Sequence, residues 1–220
     1  DGEEVVPLNR AIRGDLLETE VKPTASMMVT SMAILLSVAA VLRLRLFLFC
    51  DDFASFFNQM RLSPSEIYRT GGILPPRKLS LGLSQPASFT GDTVLAFGIT
   101  MASNICQRFA SWMMNVFCTI LDKELEPQVA KYRQQSPSFD QWWLRRVKLG
   151  KEQCRLYSAQ CYTDDPRFIC VGEEVLFRGL KVWRWFTKGM NTMMAIPAKR
   201  DIGTSAVWLG VMWLVNQGIS

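Results

Sequence analysis

The chain alternates apolar runs with short polar breaks, and the period inside each run separates helices from strands. Ala25 to Leu42 carries no charge, and Ser26, Thr30, Ala33 and Ser37 recur along one helical face. That spacing predicts a helix whose small, polar stripe packs in a core. From Arg43 the period shortens to two, which predicts a strand running into Asp51 and Asp52. Residues 62–93 hold Pro64, Pro75, Pro76 and Pro86 among several glycines, so irregular structure or short hairpins are expected. Helical spacing returns from about Ser103 to Leu125. Ile105, Phe109, Trp112, Met113, Val116, Phe117 and Ile120 form its apolar face, and Gln107, Ser111, Asn115 and Thr119 its polar stripe. After a polar, tryptophan-bearing insertion at about 126–151, Leu156 to Cys161 and Phe168 to Val171 flank Tyr162-Thr163-Asp164-Asp165. This predicts a β-hairpin with acids at its tip, and Pro166 is expected to prevent simple continuation of the second strand. Glu173 to Lys188 follows as a helix, acidic at its start, basic near its end and stopped by Gly189, and Ala206 to Val215 as a hydrophobic strand pair.

The result is an α+β chain of 220 residues and 25.0 kDa, enough for one well-cored domain. A net charge of +5 suits a polyanionic partner. No histidine is present, which excludes histidine triads and histidine metal sites. Cys50, Cys106, Cys118, Cys154, Cys161 and Cys170 show no zinc-like pairing, so buried free thiols and an intracellular, cytoplasmic or nuclear location are expected. With no glycine-rich phosphate loop either, the remaining chemistry belongs to carboxylates. Adjacent acids at a hairpin tip repel one another, and hard oxygen donors suit Mg²⁺; a solvated turn is the alternative for an isolated Asp-Asp. Basic residues interleave with aromatics from Trp142 to Lys148 and from Lys181 to Trp185. Such stretches stack bases and hold phosphates, or form amphipathic helices whose tryptophans are core.

Three motifs in order carry a family resemblance: Phe49-Cys50-Asp51-Asp52-Phe53-Ala54-Ser55-Phe56-Phe57, then Ala96-Phe97-Gly98, then the Tyr162-Thr163-Asp164-Asp165 hairpin. They resemble the palm of reverse transcriptases from retroelements, and Ile196-Pro197-Ala198-Lys199-Arg200 and Val207-Trp208-Leu209-Gly210 look like that family's later lysine motif and closing hairpin. The resemblance spans roughly residues 43–215. It implies a polymerase palm, its antiparallel sheet packed on helices, with partial fingers and no complete thumb. Residues 1–42 are then a lead-in and helix with part of the fingers, and 216–220 a tail.

The activity so implied is RNA-directed DNA polymerisation, adding deoxynucleotides to a primer 3′ end by two-metal phosphoryl transfer. The resemblance assigns Asp52 and Asp164 to bridge two Mg²⁺ ions, with Mn²⁺ as a substitute, and Asp165 as the third acid. Asp51 stays the alternative to Asp52, because strand alternation does not choose between them. Lys199 falls near the departing pyrophosphate. Phe57 would exclude a ribose 2′-hydroxyl, or else pack with Phe53 and Phe56 in a core. Phe97, Gly98, Gln107 and Tyr162 are the other substrate-side positions, with a solvated helix face as the alternative for Gln107. Arg10, Arg13 and Lys22 are basic residues upstream without a motif, and Ser103 stands where many relatives have proline. Expected partners are an RNA or DNA template-primer, deoxynucleoside triphosphates, and thumb or ribonuclease H domains in a longer polyprotein, since the chain opens on Asp1 rather than Met. Two rivals stand beside this reading. One is an inactive remnant serving as a nucleic-acid-binding module. The other is a membrane-associated protein using residues 25–42, although no stable membrane insertion is expected.

Overall fold

Thr24 opens the first helix, α1 (Ala25–Leu42), by accepting a hydrogen bond from the Met27 amide, and Arg43 ends it in the left-handed region at φ 54°. A computed structural model describes residues 22–70, 72–74, 77–78, 84–86, 88–95, 102–150 and 154–215. Met28, Leu35, Val38 and Ala39 form the buried face of α1. Ser26, Thr30, Ala33 and Ser37 are exposed, opposite to the expected packing of the small stripe. The reason is local: the Thr30 and Ser37 hydroxyls donate to the carbonyls of Ser26 and Ile34 at 3.0 and 2.6 Å, so they need no core partner. The larger side chains then take the core. By length and composition α1 could cross a membrane, and 22% of it is buried.

The described residues belong to two compact units, one formed by Val21–Ala54 with Gln107–Ser220 and the other containing Ser55–Cys106. The latter holds 3₁₀ turns at Phe56–Gln59 and Pro64–Arg69. Its strands β2 (Gly72–Leu74) and β5 (Ser88–Thr90) pair antiparallel, as do β3 (Arg77–Lys78) and β4 (Ser84–Gln85). Short ladders thus occupy the proline-rich region.

In the larger unit a four-stranded antiparallel sheet runs β6-β7-β1-β8, with β1 at Leu46–Cys50, β6 at Tyr157–Tyr162, β7 at Asp165–Val171 and β8 at Asp201–Gly203. The central strands are almost wholly buried, which explains their continuous apolar runs. Pro166 lies inside β7 rather than ending it. It pairs with Cys161 of β6, its carbonyl accepts from the Asp51 amide at 3.0 Å, and the N–H it lacks would face the chain just past the end of β1.

Two helices cover one face of the sheet. Helix α2 (Ala102–Gln135) continues ten residues past the expected end and carries Pro127 inside. Together with α3 (Pro137–Val147) it fills the region expected to be an insertion. Burial of Leu125, Gln128 and Phe139, with Tyr132 packed edge-on to Phe139, offsets the hydrogen bond that proline removes. The inward side of α2 is Cys106, Ala110, Met113, Phe117, Leu121 and Leu125, while Ile105 and Trp112 are exposed. The expected apolar face is therefore rotated: Cys106 and Ala110 are buried, and Trp112 leans on Phe109 at 5.5 Å. Helix α4 (Glu173–Gly189) adds Trp183, which meets Phe117 edge-on at 5.3 Å, as Phe117 meets Phe168 at 6.0 Å. Strands β9 (Ser205–Trp208) and β10 (Val211–Leu214) form the closing hairpin, turned at Leu209 and Gly210 with φ 51° and 73°.

Candidate active site

Register decides which acid of the first pair faces the hairpin. Cys50 pairs with Arg167, and the ladder extends through Asp51 N to Pro166 O and Phe53 N to Asp164 O, both 3.0 Å. Side chains alternate along a strand, so Asp52 falls on the same face as Asp165 while Asp51 turns to the helices. Asp51 is buried there. Its Oδ2 accepts from Trp183 Nε1 at 3.2 Å and from Arg200 Nη2 at 2.9 Å. Its Oδ1 accepts from the Asp52 amide at 3.1 Å, so both carboxylate oxygens are hydrogen-bonded within the fold.

Asp52 keeps 18% side-chain exposure, and Lys199 Nζ donates to its Oδ2 at 2.6 Å. Lys199 sits at the end of a 3₁₀ turn, Pro197–Lys199, and its hydrogen bond to Asp52 raises its pKa. Burial pushes Asp165 up to about 6, helped by the charges of Asp164 and Asp52. Asp164 is raised too, first by burial, with Asp52 adding and a backbone hydrogen bond opposing. The three acids therefore feel one another, and a cleft lined by Asp52, Asp165, Lys199, Asp201, Trp208 and Leu209 opens beside them. Among the described residues, no three metal-ligating side chains converge closely enough to hold an ion as they stand. The donor set, three carboxylates of hard oxygen, fits Mg²⁺ rather than a softer metal.

Gln107 holds the hairpin tip. Its Oε1 accepts from the Thr163 amide at 2.7 Å and its Nε2 donates to the Cys161 carbonyl at 3.0 Å. At 1% exposure it does not lie on a solvated helix face, which corrects that alternative. The physical cause is the turn: Thr163 sits at φ 56°, and its buried amide needs an acceptor that the ladder does not supply. Tyr162 is half-buried with Lys22 Nζ 5.0 Å above its ring, and Lys22 also lowers the Asp164 pKa. Lys22, the upstream cation without a motif, thus stands by the acids. Phe57 belongs to the smaller unit, half-buried next to the fully buried Phe56. Phe97 and Gly98 lie outside the described residues.

Sequence reasoning passed over Arg167, which is 1% exposed. One nitrogen donates to Gln160 Oε1, the guanidinium lies 4.8 Å from the Trp208 ring, and Nε and Nη1 have no partner among the described residues. Burial lowers its pKa to about 9. Period two from Asp165 already put a cation on the acidic face, a signal masked by the apolar run that follows. Trp208 Nε1 also donates to the Asp165 carbonyl at 3.0 Å, tying the closing hairpin to the acid-bearing strand.

Antiparallel sheet, helical cover and acidic hairpin define a mixed α+β fold. No family model and no curated protein matches the sequence. Among solved structures the chain is similar to apo telomerase from Candida tropicalis, truncated from its C-terminal domain, at a TM-score of 0.52 and 9% identity. The match covers 89% of this chain and 39% of that one, so the chain spans well under half the length of the structure it resembles. At this identity the likeness concerns the fold.

Proposed function

We propose that the chain is the palm portion of an RNA-directed DNA polymerase, taking a template-primer and deoxynucleoside triphosphates. The observation that carries the reading is the approach of Asp52 to Asp164 and Asp165 across β1 and the hairpin tip, with Lys199 beside them. Asp52, Asp164 and Asp165 would hold Mg²⁺, which when bound lowers the pKa of a primer hydroxyl and neutralises charge on a departing pyrophosphate. Lys199 would leave Asp52 as the substrate arrives and place its ammonium against the leaving phosphates. Gln107 keeps the tip rigid, so the two hairpin acids hold their spacing. In this reading Tyr162 with Lys22 borders the nucleotide.

A second reading is a nucleic-acid-binding remnant without catalysis. The Lys199–Asp52 ion pair and the lack of a converged ligand set among the described residues favour it. Primer extension on an RNA template separates the two. The intact chain should incorporate deoxynucleotides with Mg²⁺ and Asp164→Asn should lose at least about 100-fold, in line with removal of a group acting on the transition state. Absence of metal-dependent synthesis by the intact chain leaves the remnant.

A further inference from the structure

Two tryptophans two residues apart on α4 face opposite ways. Trp183 is buried and bonded to Asp51, whereas Trp185 is 66% exposed. Phe177, 65% exposed, lies eight residues earlier on the same side, and Lys181 stands midway at helical spacing. Arg184 and Lys188, both exposed, flank Trp185. The face is thus a line of two rings about 12 Å apart with three cations along it.

Of the acids at the start of α4, Glu173 lines a depression with Phe177 and Lys181, about three turns before Arg184. Glu174 pairs with Arg178 at 3.0 Å, and Glu124 of α2 meets the same guanidinium at 3.4 Å. Among the described residues Lys181, Arg184 and Lys188 form no ion pair. Complementing the helix dipole accounts for Lys188 in the last turn, but not for Arg184, Lys181 or an outward indole. Two large rings left in water along one helix face form a patch of the kind that marks an interaction surface, where a single ring would not. Cations around that ring disfavour an apolar protein partner and favour a polyanion with flat, stackable groups.

We infer that the outward face of α4, centred on Trp185 with Lys181, Arg184 and Lys188, binds single-stranded nucleic acid by base stacking and phosphate contact. Trp183, on the inward side of the same helix, touches Asp51, so this surface is distinct from the acidic cleft and the inference stands whether or not the chain polymerises. Fluorescence anisotropy with a labelled oligothymidylate tests it on the intact chain. At about 50 mM salt the intact chain should bind, and log K should fall linearly with log salt. Trp185→Ala should weaken binding on the order of tenfold, while Trp185→Tyr, which keeps a stacking ring, should bind nearly as the intact chain does. The double change Arg184→Gln and Lys188→Gln should lower the salt slope by about 1.4, two single-strand phosphate contacts. Helical circular dichroism checks that each variant folds. No binding by the intact chain, or binding that none of these changes alters, overturns the inference. So does a Trp185→Ala variant that loses only self-association, which would mark a protein interface.

Discussion

Asp165 carries the clearest titration signature at the residue scale. Its carboxyl is raised from 3.8 to about 6, so the native state holds this proton more tightly than the unfolded chain. Stability is then lost as pH rises from about 4 to about 6, and the deficit is complete above that range. Asp165→Asn should remove it, stabilising the protein at pH 8 by on the order of 1 kcal/mol after allowance for partial solvation, with no gain at pH 4. Urea denaturation at both pH values measures the difference; an equal effect at the two would detach the carboxyl from this cause. Arg167 presents the opposite case, a buried cation with two unbonded nitrogens. Replacing a poorly compensated buried charge by an apolar chain of similar length is often neutral or stabilising, so Arg167→Met should leave the thermal midpoint unchanged or raise stability by about 1 kcal/mol. A large loss would mean that the stacking on Trp208 outweighs desolvation.

Among the elements, α4 meets β7 with no room for a side chain at Gly179. A Cβ placed on Gly179 would lie 2.7 Å from the Phe168 ring, itself packed against Phe117 and Tyr157. Alanine is the better helix former by about 1 kcal/mol, yet Gly179→Ala should destabilise by about 1–3 kcal/mol because the ring cannot retreat. Equilibrium denaturation gives the sign directly. The α2 face shows why element existence was legible and orientation was not. Apolar spacing over residues 103–125 marks a helix, but apolar Ile105 and Trp112 are exposed while Ala110 and Cys106 are buried. Helix rotation is set by how closely the backbone can approach the sheet, a property of the partner surface. Gln107 illustrates the same limit: its polar type suggested water or substrate, and only the left-handed turn at Thr163 explains why it is buried.

For the whole molecule, all six cysteines are buried, and none forms a disulfide among the described residues. Burial pushes Cys50 to about 12 and raises Cys118, Cys161 and Cys170 as well. Thiolate is the reactive form, so the native protein should show almost no thiol reactivity toward an aromatic disulfide reagent at pH 8, and all six groups should react in denaturant. Rapid native labelling would expose a core that opens readily.

The sequence by itself determined α1, β1, the existence of α2, the acidic hairpin, α4 and the closing strand pair, because hydrophobic period and turn chemistry are local properties. Tertiary structure alone decided that Asp52 rather than Asp51 faces Asp165, that Gln107 clamps the tip, and that Trp183 turns inward while Trp185 meets solvent. Each of those outcomes depends on strand register and helix rotation, which arise only when distant segments close-pack and one residue of slip exchanges the two faces.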